Sequence, residues 1–408
     1  MRTSPLLLLA LLAPVACGSS ADETNEFPAE TAAKAVADYS RNVHANYSEV
    51  LASAKTMQAA IGAFAAGPTN ATFDAAKKAW IDGRVPYGPS EAFRFYDGPI
   101  DNPDDGPESR INGWPLDEFE IDYTRDTPTS GLINDMTFAL TPENISGENE
   151  KHGEKAITTG WHAIEFLLWG QDDTKAGTGP GKRPLTDYVD GSAGKNQARR
   201  RTYLKDVTQL LVDDIETLVV AWAPDKADNF RAKFGIEARD SKTQPDAKKE
   251  AIGDLLRAIG SMAKAELSGE RMTVAFKNRS EEDEHSCFSD TTASDFAGNG
   301  VGIENVWLGR YGSFDGVGLD EVVRAVDADL ATKTTTDIAD SVAKLRKLEQ
   351  LQNAGTPIDV ILQAADESEG RKAMLDAIKA LKVVAEDAER AARALGLSIA
   401  IEEPSEDL

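Results

Sequence analysis

The stretch AETAAKAVADYSRNVHANYSEVLASAKTMQAAIGAFAA (29–66) sets the fold class of this chain. Its apolar residues recur at intervals of three and four, which places them on one face of an α-helix. Gly67-Pro68 follows directly, and this pair ends a helix because proline cannot continue it. The stretch therefore predicts one long amphipathic helix, whose apolar face carries Ala33, Val36, Tyr39, Val43, Tyr47, Val50, Leu51 and Met57.

Helical spacing continues through most of the remaining chain. It predicts helices from about residue 70, and at about 154–169, 195–223, 246–270, 281–292, 319–331, 336–353 and 370–395. Alternating strand-like segments bounded by turn signals are absent. A charged stretch at 224–245, punctuated by proline and glycine, divides the pattern. We therefore predict an all-α protein of two consecutive antiparallel helical bundles, residues 28–235 and 236–402, with an acidic, disordered tail at 403–408.

Composition excludes several classes of protein. The chain has 408 residues, and 69 Asp and Glu outnumber 44 Lys and Arg to give a formal net charge of −25. We do not expect the protein to bind nucleic acid, because such binding requires a basic surface that displaces counterions from phosphates. With only two cysteines, Cys17 and Cys287, neither a disulfide scaffold nor a cysteine-rich zinc fold is expected.

The N-terminus has the features of an export signal. Arg2 precedes the apolar run LLLLALL (6–12), which is too short for a permanent membrane span. The following Pro-Val-Ala-Cys (14–17) resembles a bacterial lipobox, which implies cleavage before Cys17 and acylation of that residue. Residues 1–16 would then be a signal peptide and 17–27 a lipidated, flexible tether to the outer membrane, on its periplasmic or surface face. An ordinary secretory signal with an incidental cysteine is the alternative.

The segment GWHAIEFLLWG (160–170) carries the candidate chemistry. His162 and Glu165 are three positions apart, so their side chains leave one helical face about one turn from each other. Burying an imidazole and a carboxylate among apolar residues is costly unless both find partners. A shared metal ion would satisfy both groups, and helical bundles build such carboxylate–histidine sites. A histidine paired in the core with a glutamate or a backbone carbonyl is the other interpretation.

Gly160, His162 and Glu165 match the Gly-x-His-x-x-Glu signature of the imelysin family, and the chain is similar to that family along most of its length. The segment WIDGRVPYGPSEAFRF (80–95) resembles the first-bundle motif of the same family. Four further segments resemble the branch called iron-regulated protein A: GPESRINGWPLDEFEIDY (106–123), GPGKRPLTDYV (179–189), GERMTVAFKNRSEEDEHSCFSD (269–290) and GVGIENVWLGRYGS (300–313). It implies two helical bundles related by pseudo-symmetry.

The resemblance also implies a metal site in the cleft between the bundles. Its expected ligands are His162, Glu165 and Glu91, and this mixture of nitrogen and oxygen suits iron, zinc or copper. Iron is implied by the family alone, as are a metal complex as ligand and partners in iron uptake. Further residues expected to line the cleft or support the ligands are Arg84, Tyr87, Asp117, Glu118, Asp122, Asp283 and His285.

His285 has a partly matching context in the second half. Its third following residue is Phe288, so the glutamate of the signature is missing there. If the bundles are repeats, His285 is either a degenerate counterpart of His162 or faces the same cleft. Cys287 adds a soft ligand to this region, although a small buried thiol is the commoner outcome.

Two further functions remain open at the level of the sequence. The imelysin resemblance allows a metal-dependent peptidase, but neither His-Glu-x-x-His nor Gly-x-Ser-x-Gly occurs in the chain. A receptor or adaptor without metal would leave His162 and Glu165 as structural partners. We therefore expect a metal-binding protein that is not an enzyme.

Overall fold

The structure, a computed structural model, describes residues 26–172, 179–239 and 244–404. In these ranges it contains the helices α1 (Ala29–Ala66), α2 (Asn70–Ser90), α3 (Glu108–Asn112), α4 (Pro142–Glu148), α5 (Gly160–Trp169), α6 (Gln197–Ala221), α7 (Phe230–Lys233), α8 (Ala247–Ser261), α9 (Ala275–Asn278), α10 (Thr292–Leu308), α11 (Leu319–Arg324), α12 (Ala328–Asn353), α13 (Ile358–Gln363) and α14 (Glu369–Ala394). A π-helix, Met262–Val274, joins α8 to α9. Single 3₁₀ turns lie at Glu91–Phe93, Glu118–Glu120, Leu185–Asp187 and Cys287–Ser289.

In the described part of the chain, β-structure is limited to one two-residue hairpin. Strand β1 (Arg310–Tyr311) runs antiparallel to β2 (Phe314–Asp315), with Arg310 opposite Asp315. The predicted all-α fold class is therefore confirmed.

Local sequence signals explain the first helices. α1 has the predicted bounds, and it buries the stripe that contains Val36, Tyr39 and Val43. Thr69 then starts α2 with a capping box: its side chain accepts a hydrogen bond from the Thr72 backbone N–H at 3.2 Å, and the Thr72 hydroxyl accepts from the Thr69 N–H at 3.0 Å. Such caps satisfy donors that have no partner within the helix.

The helices pack in two groups, and the most extensive contact between them is that of α2 with α10. In the first group α1 packs against α2 and α6, and α5 packs against both α2 and α6. In the second, α12 packs against α10 and α14, while α14 also contacts α8 and the π-helix. The exact boundary between two bundles, and their pseudo-symmetry, stay predictions.

The contact between α2 and α10 depends on glycine. A Cβ on Gly88 would lie 3.0 Å from the Cα of Gly298, and a Cβ on Gly302 would lie 2.3 Å from the carbonyl oxygen of Pro89. Only residues without a side chain allow the two backbones to approach this closely. The crossing brings Arg84 of α2 and Asp295 of α10 together, so it connects the fold directly to the candidate site.

Four of the predicted helices have the wrong bounds. The segment 154–159 is irregular, and α5 begins at Gly160, where φ is +85° and a Cβ would lie 2.5 Å from the Ile111 carbonyl oxygen. The segment 281–292 holds only a 3₁₀ turn, because Ser286 and Asp290 adopt left-handed backbone conformations; the helix instead begins at Thr292 as α10. The break between the predicted helices 319–331 and 336–353 lies at 325–327, so α11 is shorter and α12 longer than predicted.

The structure describes little of the predicted N-terminal segments and only the start of the predicted C-terminal tail. Cys17, the signal peptide and most of the tether lie outside the described residues. At the other end, the Glu403 carboxylate pairs with the Lys264 ammonium at 2.5 Å, so the predicted tail begins against the π-helix. Residues 405–408 again lie outside the described ranges. Among the described helices, not one combines the length and apolar character required to cross a bilayer.

Candidate metal centre

His162 and Glu165 are in direct contact on α5, a helix whose residues are all buried. His162 Nδ1 lies 2.9 Å from Glu165 Oε2. The other oxygen, Glu165 Oε1, accepts hydrogen bonds from the Ser289 backbone N–H at 2.9 Å and from the Ser289 hydroxyl at 2.6 Å. Because both oxygens already have partners, Glu165 is arranged to orient His162.

His285 meets His162 from the segment that joins α9 to α10. The two Nε2 atoms are 3.1 Å apart, and His285 Nδ1 lies 3.0 Å from Asp295 Oδ2. Asp295 therefore supplies for His285 the carboxyl group that Glu165 supplies for His162. The result is a linear chain of four side chains in which two imidazoles face each other and each outer nitrogen contacts a carboxyl group.

Asp295 is fixed by two further groups. Its carboxylate pairs with the Arg84 guanidinium at 3.2 and 2.8 Å, and it accepts a hydrogen bond from the Ser286 hydroxyl at 2.5 Å. Arg84 also donates to Asn112 Oδ1 at 2.6 Å. Burial acts to raise the pKa of Asp295, but the charge of Arg84 and the bond to His285 outweigh it, so this pKa is lowered and the group is ionised.

Both imidazoles are neutral at physiological pH. Burial, together with the neighbouring His285, lowers the pKa of His162 well below its ordinary value of 6.5. Burial, followed by the charge of Arg271, lowers the pKa of His285 to about 4. Burial also raises the pKa of Glu165 to about 8. Neutral imidazole is the form that coordinates metal ions.

One side of this pair borders a cavity of about 460 Å³, which His285 and Trp114 help to line. The indole ring of Trp114 covers both imidazoles, with ring centroids 4.8 Å from His162 and 5.9 Å from His285. Only His285 of the two histidines lines the cavity, so a ligand would reach the pair from that side.

The imelysin family model matches residues 43–387. The chain belongs to the imelysin family. A crystal structure assigned to an iron-regulated protein A precursor from Parabacteroides distasonis is similar to it, with a TM-score of 0.66 and 18% sequence identity over 90% of this chain and 96% of that chain. At this level of identity the likeness supports a shared fold. No curated protein sequence matches the chain.

The third predicted ligand of this imelysin-family chain lies elsewhere. Glu91 is fully buried and pairs with Arg271, with Arg94 at 3.2 Å, and with Asn112 Nδ2 at 3.4 Å. Burial would raise its pKa, but the two guanidinium groups lower it to about 2. Among the described residues, hydrogen bonds through Asn112, Arg84 and Asp295 connect Glu91 to the histidines.

Other predicted cleft residues divide into separate groups. The buried Tyr87 lies beside Glu91, and Asp283 lines the cavity near His285. Asp122 belongs to a distinct buried cluster with Arg183 and Arg200, at 2.7 and 2.6 Å. Asp117 and Glu118 are half-buried away from the cavity lining, and burial raises the pKa of Glu118 to about 7.

Sequence reasoning missed three residues of the site: Asp295, Ser289 and Trp114. Ser289 and Trp114 lie inside segments that resemble the family, so those segments contained the available signal. Asp295 lies on α10, which was not predicted as a helix. Within the described ranges, no group of three or more His, Cys, Asp and Glu side chains is arranged to hold a metal ion.

Proposed function

We propose that this imelysin-family protein binds a transition-metal ion, as part of iron acquisition, between His162 and His285. The observation that carries the proposal is the separation of 3.1 Å between the two Nε2 atoms, both on neutral rings. Two nitrogens that bind one ion at about 2.1 Å, in neighbouring positions of an octahedron or a tetrahedron, are separated by roughly 3.0–3.4 Å. The pair is therefore spaced as two ligands of one ion would be.

The outer nitrogens support the same conclusion. Histidines that bind metals usually direct their second ring nitrogen at a carboxylate or a carbonyl, which fixes the ring and increases its basicity. Asp295, which is ionised, provides this support to His285 at 3.0 Å, and the carboxyl group of Glu165 holds the ring of His162 at 2.9 Å. In this proposal Glu165 and Glu91 are not ligands, in contrast to the set expected from the sequence.

The two imidazole nitrogens are of the type that transition metals bind, although they fill only two coordination positions. Imidazole suits iron, zinc, copper and nickel. Because the described residues place no third side chain of the right type beside the pair, water or a group carried by the ligand would complete the coordination sphere. The choice of iron is supported by the name of the structural relative, an iron-regulated protein A precursor.

We also propose that the protein is exported and anchored in the outer membrane through acylated Cys17. The lipobox-like residues 14–17 support this location, and the structural relative is likewise a precursor protein. Replacing Cys17 by serine should leave the precursor uncleaved or release the protein from the membrane. A processed Cys17→Ser protein that stays membrane-bound would contradict the anchor.

The metal proposal is tested by calorimetric titration of Zn²⁺, and of Fe²⁺ under anaerobic conditions, into the purified protein. We expect one ion per chain in wild type and at least a hundredfold weaker binding in His162→Asn and His285→Asn. His152→Asn is the matched control, because His152 is exposed and contacts only Glu120 among the contacts described. Circular dichroism must show that each variant keeps its helical content. Equal binding by all four proteins would mean that the two histidines are core residues.

A further inference from the structure

The cavity beside His285 is strongly acidic. Eight carboxylate side chains line it, against three cationic ones, Arg94, Arg271 and Lys155. A concave surface with an excess of one charge concentrates ions of the opposite sign and repels ions of its own. This charge belongs to the only cavity among those described that the histidine pair borders.

The two guanidinium groups of the cavity are already paired with carboxylates. Arg94 contacts Glu91 and Glu108 at 3.2 Å each, and Arg271 contacts Glu266 at 2.6 Å as well as Glu91. An anionic ligand would therefore have to compete for either arginine with carboxylates that are buried in Glu91 and partly exposed in Glu108 and Glu266. The pairs with Glu91 are the costly ones to separate, because a buried charge is then left without a partner.

Cavity size is compatible with a hydrated ion. Six waters occupy roughly 180 Å³ at the density of the liquid, which fits within the 460 Å³ of the cavity. The two histidines can fill two coordination positions, and the waters that the ion brings can fill the others.

From these observations we infer that the site takes its metal as a free, hydrated cation and rejects anionic metal chelates. This inference rests on the proposed function, and it names the class of ligand for the same site. Glu150 and Glu154 are the residues through which we test it, since both are exposed and line the cavity. Neither belongs to the histidine pair or to its hydrogen-bond partners.

The experiment compares Co²⁺ alone with ferric citrate that carries radiolabelled citrate. The visible absorption of bound Co²⁺ gives the association rate in a stopped-flow instrument, and gel filtration shows whether citrate stays with the protein. For wild type we expect Co²⁺ to bind and no citrate to be retained. In Glu150→Gln/Glu154→Gln the association rate should fall about tenfold at 10 mM ionic strength and less than twofold at 0.5 M salt.

The control removes two charges elsewhere. Glu143→Gln/Asp376→Asn changes two exposed carboxylates that do not line the cavity, so its rate should stay within twofold of wild type. Retention of one citrate per chain would overturn the inference, as would equal rates in the cavity and control variants. In both cases the proposed function survives if His285→Asn still abolishes Co²⁺ binding. If instead His285→Asn binds Co²⁺ like wild type, the proposed function itself fails.

Discussion

Replacing Asp295 by asparagine removes one negative charge from the centre of the buried network while keeping the size of the side chain. In wild type the Asp295 and Arg84 side chains are 3% and 5% exposed, and their charged groups approach to 2.8 Å. The asparagine variant leaves the Arg84 guanidinium buried with Asn112 but without its carboxylate. It also weakens the partner that orients His285.

The expected loss of stability follows from this burial. Removing one member of a buried ion pair costs about 3–5 kcal/mol, because the remaining charge stays desolvated and unpaired. With an m-value of about 2–3 kcal/mol per molar urea, the midpoint of unfolding should fall by about 1–2 M. Replacing both partners, as in Arg84→Met/Asp295→Asn, should recover part of that loss, since no buried cation is then left unpaired.

The assay is urea unfolding followed by the fluorescence of the six tryptophans. Glu30→Gln is the control: its carboxylate pairs with Lys34 on the surface, with side chains 88% and 60% exposed, and such pairs contribute little. A midpoint for Asp295→Asn that lies within 0.3 M of the control would refute the reasoning. The reasoning would also be refuted if the double variant lost more unfolding free energy than the two single variants lose together.

Three more outcomes are expected. The pKa of Glu165 is raised to about 8 in the folded protein, so the folded state holds a proton between about pH 4.5 and 8 that the unfolded state has lost, and the protein loses stability as pH rises through that window. The stability of Glu165→Gln relative to wild type should therefore increase by up to a few kcal/mol from pH 5 to pH 8.5. A difference that does not change with pH would contradict this. Gly302→Ala should destabilise by about 1–3 kcal/mol, because its Cβ would meet the Pro89 carbonyl oxygen, whereas the open helical site Gly62→Ala should gain about 0.5–1 kcal/mol in thermal or urea unfolding. Cu²⁺ should quench the fluorescence of wild type, and Trp114→Phe should remove most of that quenching, because the indole ring of Trp114 packs against both imidazoles. Unchanged quenching would place the ion elsewhere.

Helices with local signals could be predicted from the sequence. α1 and the start of α2 depend on periodicity, on Gly67-Pro68 and on the Thr69 cap, all of which act within a few residues. Helix α10 could not be predicted in this way, because Gly298, Gly300 and Gly302 weaken the local helical preference. The reason for glycine at 298 and 302 is the close approach of α2, more than 200 positions away in sequence.

The site divides in the same way. The three-residue spacing of His162 and Glu165 correctly indicated a shared helical face, and their side chains are in contact. The orienting role of Glu165 could not be read from that spacing, because it depends on Ser289, 124 positions further along the chain. The same holds for the partner of His285: Asp295 became visible only once α10 was known.

The facing histidines also have a consequence for how such sequences diverge. His162 and His285 are separated by 123 positions, yet each ring nitrogen at their contact has the other as its partner. A substitution at one position removes the reason to keep histidine at the other, so natural selection acts on the two codons as a unit. Among homologues we expect both histidines to be retained or both to be lost, and the carboxylates at positions 165 and 295 to follow them.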